Sequence, residues 1–386
     1  MKREYKYIII GAGASGLMLG SLLGDKSDIL LIDAGRSVGA KISISGGGKC
    51  NITNESVKSA NFKGDSLFVS EILGQFDQKQ TLRWFAKRGL EPVVRKSGQY
   101  FCVKSADEVT ALFHREIRGI ELSPRTEVKS VGKENDKFTV ETSRGSFISR
   151  YLIVASGGLS FPKIGASGVG YDIAKSFGHT ISTLSPALVG FTLQSEQFFF
   201  KELSGSSVDV RVSIEGKSIS GSLLFAHKGI SGPAILNASL YWTKGKITVD
   251  FLPDFSWASM HSSKKQISTL LPLPKRVAKA FLEYLNIQDK PANKLHRDEL
   301  EKLLSLQEYS FAPAGTFGYS KAEVTRGGVR TSEIDPDTLM STIEPKLYFV
   351  GEVLDVTGEL GGYNFQWAFS SAYVCAKSLA DGELNV

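Results

Sequence analysis

Short unbroken apolar runs, each opening onto glycine or a charged turn, set the rhythm of this chain. Four of them share one character: Tyr7-Ile8-Ile9-Ile10, Ile29-Leu30-Leu31-Ile32, Tyr151-Leu152-Ile153-Val154 and Leu347-Tyr348-Phe349-Val350. Such runs read as strands buried on both faces of a sheet. A helix-like stretch through Leu17, Met18, Leu19, Leu22 and Leu23 separates the first two. Helical spacing follows over 67–76 and 78–88, and 90–103 alternates as a short β-ribbon. A further helix is expected over 106–121, with Ser105 placed to cap it and Glu108 three residues on. Segments 126–131, 137–143 and 146–149 read as a three-strand meander, and 167–178 as a glycine-opened helix.

From residue 187 the pattern changes. Segments 188–193, 207–214, 218–225 and 246–252 are short and alternating, as in an antiparallel barrel or sandwich. Residues 256–306 are helical and polar-rich, broken by Pro272, Pro274 and Pro291, and strand-like text returns at 308–311 and 322–324. The arrangement predicts one α/β nucleotide domain, interrupted by a β-plus-helical insert and completed by the C-terminus. The expected limits are 1–187 and 326–386 for the nucleotide domain, 188–254 and 307–325 for the β-domain, and 255–306 for the helical subdomain.

The first apolar run opens onto Gly11-Ala12-Gly13-Ala14-Ser15-Gly16, and the second ends on Asp33-Ala34. Strand, glycine turn, helix, strand, acid is the order of the dinucleotide fingerprint. Gly11 permits the tight turn, Gly13 the approach of a pyrophosphate, and Gly16 close packing of helix on strand. The free N–H groups of Ala14 and Ser15 at the helix start favour a phosphate. Asp33, about 20 residues on, is placed to accept from a ribose hydroxyl. The third run delivers Ala155-Ser156-Gly157-Gly158, small residues where a backbone approaches another group closely. The long glycine-dense loop 34–54 is of the kind that is usually functional.

Composition adds limits. The chain has 386 residues, 42% hydrophobic and 22% charged, as in an ordinary globular protein. No apolar stretch is long enough to span a bilayer, and the cytoplasm is the expected compartment. Three widely separated cysteines indicate neither a disulfide framework nor a zinc site, and no metal is expected. The charge of +6 is scattered, so a nucleic-acid partner is not expected, nor a membrane; the substrate is expected to be a small molecule. Nothing in the sequence fixes the oligomeric state.

The last strong signal runs from Gly351-Glu352-Val353-Leu354-Asp355 through Gly361-Gly362-Tyr363-Asn364-Phe365-Gln366-Trp367 into a C-terminal helix. Its start, with Asn364 able to cap it, would face the negative charge that appears on a reduced flavin. Glu352 or Asp355 would meet the ribityl chain. Together with the fingerprint, this favours FAD over a nicotinamide as the resident dinucleotide.

The set GAGASG, SGGGKCNITN (45–54), ASGGLSFPKIGASGVGYDIAKSFGH (155–179), AHKGISGPAIL (226–236), EVTRGGV (323–329) and GEVLDVTGELGGYNFQWAFSSA (351–372) resembles the bacterial BaiN/RdsA-type (YhiN-like) NAD(P)/FAD-dependent flavoproteins. The resemblance spans essentially the whole chain. It implies a Rossmann-like, glutathione-reductase-like FAD-binding domain with an inserted antiparallel β-domain and a small helical subdomain. It extends the expected FAD contacts to Lys41, Gly48, Cys50, Asn51 and Val128. Two departures stand out: Lys49 replaces the family's usual arginine, and Cys102 its usual proline.

Candidates for chemistry are few. Cys50 beside Lys49 could be held as a thiolate, or could simply pack. His227, in Ala226-His227-Lys228-Gly229, is the best candidate proton donor for a hydride transfer through flavin N5; Tyr363 could serve the same role or only stack. His114 and His179 read as structural, and His261 and His296 carry no assigned role. No second GxGxxG is present, so NAD(P)H, if it is the reductant, binds transiently. The expected function is an FAD-dependent oxidoreductase acting on a small organic substrate. The alternative is an FAD-containing redox sensor or nucleic-acid-associated flavoprotein without nicotinamide-dependent turnover.

Overall fold

The computed structural model describes residues 4–260 and 262–380; His261 therefore lies outside the described residues. The chain forms two compact units, one of residues 1–186 with 324–386 and one of residues 187–323.

The first unit is built on a mixed sheet. Strands β1 (Glu4–Ile10), β2 (Ile29–Ile32), β5 (Glu121–Ser123), β8 (Gly145–Val154) and β9 (Leu347–Phe349) are parallel, in the order β5-β2-β1-β8-β9. Residues Ile8, Ile9, Leu30, Leu152 and Ile153 are fully buried, as continuous apolar strands require when both faces are covered. The ten-residue β8 has two jobs. Its first half pairs antiparallel with β7 (Lys137–Thr142), which pairs with β6 (Val128–Glu134); its second half pairs with β1 and β9. The last strand of the expected meander and the following buried run are thus one continuous strand, because no turn residue interrupts Ser146–Val154.

Helix α1 (Ala14–Leu22) follows β1 and is buried along nearly its whole length. It packs on the C-terminal helix α2 (Tyr363–Leu379), whose last carbonyl, at Leu379, accepts from the Tyr7 hydroxyl at 3.0 Å. Two glycines let the β1–α1 turn close against the end of β8. A Cβ on Gly16 would lie 1.9 Å from the Gly11 carbonyl oxygen, and one on Gly11 would lie 2.3 Å from that of Ala155. The helix expected over 106–121 is shorter, Asp107–Glu116, because the chain turns at Gly119 with φ +98°. Glu108 closes on the N–H of Lys104 rather than that of Ser105. A small sheet of Val93–Val94, β4 (Gln99–Phe101) and β3 (Asn51–Asn54) stands beside the main one.

His179 ties two loops of this unit together. Its Nδ1 lies 3.2 Å from Glu333 Oε2 and its Nε2 2.8 Å from the Ser341 hydroxyl, with the ring buried. Burial pulls its pKa below the usual 6.5, outweighing the opposite pull of the Glu333 carboxylate. The folded state therefore binds fewer protons here than the unfolded chain. Stability from this site is complete above about pH 6.5 and is lost as pH falls below it, with a slope of at most about 1.4 kcal/mol per pH unit. Melting temperatures followed from pH 7.5 down to 5.5 should fall in the wild type, and His179→Gln should flatten that decline.

The second unit is a seven-stranded, wholly antiparallel sheet in the order Tyr309–Phe311, Ile247–Asp250, Ser207–Ile214, Lys217–Ala226, Gly229–Ser231, Phe191–Thr192, Gly315–Thr316. The helix Lys275–Tyr284 buries Val277, Ala278, Phe281 and Leu282, and Phe281 meets Phe251 at 4.8 Å between ring centroids. The proline-broken region resolves into short helices, of which Lys275–Tyr284 and Arg297–Leu304 are the longest. Among the described residues, no helix is long and apolar enough to cross a membrane.

Candidate dinucleotide site

The site lies in the first unit, where α1 starts. Gly13 is the residue before α1, and no side chain caps the helix. The first-turn N–H groups are therefore available to an anion, with the helix dipole adding to the attraction. Crowding around the glycines differs sharply. Gly11 and Gly16 have no room for a Cβ, whereas a Cβ on Gly13 or Gly157 would meet nothing within 4 Å. Packing thus explains the first pair; open space in front of the helix end explains the second, and it suits the pyrophosphate of a dinucleotide.

A cleft opens beside it, lined by Gly11, Asp33, Ala34, Val128 and Ser156 among the expected residues. Ile10, Ile32, Thr126, Gly165, Ser167 and Val169 complete the lining. Asp33 holds the cleft's shape as well as lining it. Its Oδ2 accepts from the Ala12 N–H and its Oδ1 from the Gly35 N–H, both at 2.6 Å. Each oxygen keeps a second lone pair for a ribose hydroxyl. Apolar walls with a carboxylate at one end fit the adenosine half of FAD.

The C-terminal motif reaches the same place. A Cβ on Gly351, at φ +78°, would lie 2.6 Å from Ser15 Oγ, so fingerprint and C-terminal strand end are in contact. Gly351 is held on both sides: its N–H donates to Ser371 Oγ (3.0 Å), and its carbonyl accepts from Trp367 Nε1 (3.1 Å). Glu352 is a hub. Its Oε2 pairs with Lys41 Nζ at 2.6 Å, and its Oε1 accepts from the Thr325 N–H at 2.9 Å. Thr325 Oγ1 in turn accepts from the Leu159 N–H at 2.8 Å, which clamps the segment after Gly158. Asp355 is half-buried further along the same loop.

Helix α2 also begins uncapped, at Gly362 with φ +94°. Asn364 does not cap it, contrary to expectation. It sits inside the first turn and reaches backwards, donating to the Gly358 carbonyl (2.9 Å) and accepting from the Gly358 N–H (2.9 Å). The free helix start rests on β3: a Cβ on Gly362 would meet the Thr53 carbonyl at 2.6 Å. In its best-satisfied orientation the Asn51 amide accepts from the Gly362 N–H (3.1 Å) and donates to the Thr53 carbonyl (3.2 Å). Gly48 and Lys49 belong to the loop just before β3. Gly361 and Gly362 both have positive φ, as a backbone passing this close to β3 requires. Two uncapped helix ends and a polar clamp between them match the anionic centre and the electron-accepting ring of a flavin dinucleotide.

The profile of the HI0933-like protein Rossmann domain matches residues 5–378. The chain belongs to the HI0933-like family. It is 37% identical over 399 residues to the ribosomal RNA dihydrouridine synthase of Haemophilus influenzae, covering 98% of this chain and all of the relative. It is 31% identical over 407 residues to the 3-dehydro-bile acid delta(4,6)-reductase of Clostridium scindens, covering 97% and 98%. A 3-ketosteroid delta1-dehydrogenase structure from Sterolibacterium denitrificans has a TM-score of 0.52 over 98% of this chain and all of that one, at 12% identity. That last likeness is one of fold.

The three candidates for chemistry separate. Tyr363 heads α2, edge-on to Phe62 with centroids 6.0 Å apart, and burial with the Glu359 charge raises its pKa, so its phenol stays protonated. Phe365, on the next position but one, stacks on Phe369 at 6.0 Å. His227 is exposed at the turn between Lys217–Ala226 and Gly229–Ser231, in the second unit. Cys50 departs from the thiolate expected beside Lys49. It is fully buried, and its pKa is pushed well up by a hydrogen bond with Cys102 and by burial. Lys49 is exposed on the loop.

Proposed function

We propose that this family member is an FAD-dependent oxidoreductase that saturates a carbon–carbon double bond conjugated to a carbonyl, with a uracil ring of ribosomal RNA as the substrate class. One observation carries the reading. Two relatives matched over nearly their whole length are named for different substrates but for one kind of reaction, the reduction of a conjugated double bond. The relative named for ribosomal RNA has the higher identity.

FAD, when bound, supplies the hydride at N5. The chain's own residues do the rest. The N-terminus of α1 binds the pyrophosphate, and Asp33 orients the ribose. The N-terminus of α2 favours negative charge on the reduced ring. Addition to a conjugated double bond also needs a proton at the carbon next to the carbonyl. His227 is our first choice of donor and Tyr363 our second. In the absence of a second dinucleotide fingerprint, NAD(P)H is taken to bind transiently as reductant.

The test is anaerobic. Holoprotein reduced by NADH or NADPH is mixed with a ribosomal RNA fragment or, separately, with a 3-oxo-Δ4 steroid. Return of the flavin band with RNA, and an RNA product heavier by two hydrogens, is the expected result. Turnover of the steroid alone would move the substrate to small molecules, and reoxidation by neither would favour the sensor reading. His227→Gln should slow this second half-reaction by 10²–10⁴-fold and leave reduction by NAD(P)H unchanged.

A further inference from the structure

We propose that Cys50 and Cys102 are a modification site, a dithiol that closes reversibly to a disulfide beneath the glycine loop. The sheet register brings them together. Asn51 on β3 pairs with Phe101 on β4, so Cys50 and Cys102, the next residue on each side, fall opposite one another. Backbone bonds hold the two segments, Cys102 N–H to the Lys49 carbonyl at 3.0 Å and Ala106 N–H to the Gly48 carbonyl at 2.8 Å. Both side chains are fully buried, and the neighbouring Cys102 helps hold the Cys50 thiol well above its usual pKa. Antiparallel neighbours of this kind lie within the reach of a disulfide. Cys375, the third cysteine, lies in α2, and burial alone holds its thiol protonated.

The loop above the pair supplies both protection and access. Ser45–Gly48 form a single tight turn with Gly46, Gly47 and Gly48 all at positive φ, and Cys50 itself is held at φ +44°. A non-glycine residue in this left-handed conformation is strained, and opening the turn would release that strain at Cys50. Gly46, Gly47 and Lys49 are exposed, so opening the turn sacrifices little burial. While closed, both thiols are shielded and Cys50 stays protonated, hence unreactive.

The oxidant is a small hydroperoxide. On opening, Cys50, which also hydrogen-bonds Ser45, loses its proton and attacks the peroxide's distal oxygen. This yields a sulfenic acid and, for hydrogen peroxide, one water. The Cys102 sulfur then displaces the sulfenic hydroxyl, forming the S–S bond and releasing a second water. Two thiols lose two electrons and two protons in all, and one peroxide becomes two waters. The bond would pin the loop to β4 next to Asn51, which holds the start of α2.

The 386-residue protein, reconstituted with FAD, is treated with graded hydrogen peroxide, then alkylated in denaturant and mapped by mass spectrometry. Alkylatable thiols should fall from three to one, the chain should lose two hydrogens, and a peptide containing Cys50 should be joined to one containing Cys102. Dithiothreitol should restore all three thiols. The rate should saturate with peroxide, because loop opening limits it, and Cys375→Ser should change neither the linkage nor its rate. Over-oxidation of Cys50 with Cys102 still alkylatable, or thiol loss only on unfolding, would overturn the proposal.

Discussion

Gly13→Glu should give a folded protein that no longer holds FAD. The backbone at Gly13 has φ −84° and ψ −166°, a conformation open to any residue, and a Cβ there meets nothing within 4 Å. The new side chain therefore costs the fold little. It would, however, occupy the space before the α1 N-terminus and set a carboxylate against the pyrophosphate. Like charges forced together cost several kcal/mol, so affinity should fall by roughly 100-fold or more. Equilibrium titration with FAD, alongside the melting temperature of the flavin-free forms, separates the two effects. The contrast is Gly16→Ala, whose Cβ would overlap the Gly11 carbonyl and should destabilise the protein itself.

Trp367→Ala should be the most destabilising substitution near the site. The indole is 1% exposed, packs against Phe62 and Phe68 at 6.3 and 6.2 Å, and holds the Gly351 carbonyl through Nε1. Truncation of a large buried aromatic leaves a cavity that costs about 3–5 kcal/mol. Here it also releases Gly351, against which Ser15 packs, so flavin retention should fall together with stability. Trp367→Phe keeps the ring packing and loses only the N–H, at a cost of about 1–3 kcal/mol for the carbonyl left unpaired. Denaturant unfolding of the three proteins ranks them; equal stability of Ala and Phe variants would show that packing at Trp367 matters little.

Continuous apolar runs proved the most legible part of the fold. Residues 7–10, 29–32, 151–154 and 347–349 are all strands of one sheet, because double-sided burial leaves no choice of residue type. The fingerprint was equally legible, since Gly11 and Gly16 answer to close local contacts and Gly13 to the open space before α1. Less legible was whatever depends on distant segments meeting. Thr126, Gly165 and Ser167 line the adenosine cleft, yet they come from the end of one turn and a loop after β8. The glycine density of 165–170 was the available signal, but its spacing fits no dinucleotide turn. Thr325 joins Glu352 to Leu159 across more than 160 residues of chain. Cys102 appeared isolated because nothing in its spacing reveals a cross-strand partner. Asn364 illustrates a subtler limit: a good capping residue two positions past the N-cap does not cap the helix.

We propose that one dinucleotide spans both ends of the chain, its adenosine half in the cleft at Asp33 and Thr126, its flavin half at the start of α2. Competitive titration of flavin-free protein with FAD, FMN and ADP tests this most directly. FAD should bind tightly, ADP should compete for the same site, and FMN should bind far more weakly, since it lacks the half that the fingerprint holds. Equal binding of FMN and FAD, or no binding of FAD, would contradict it.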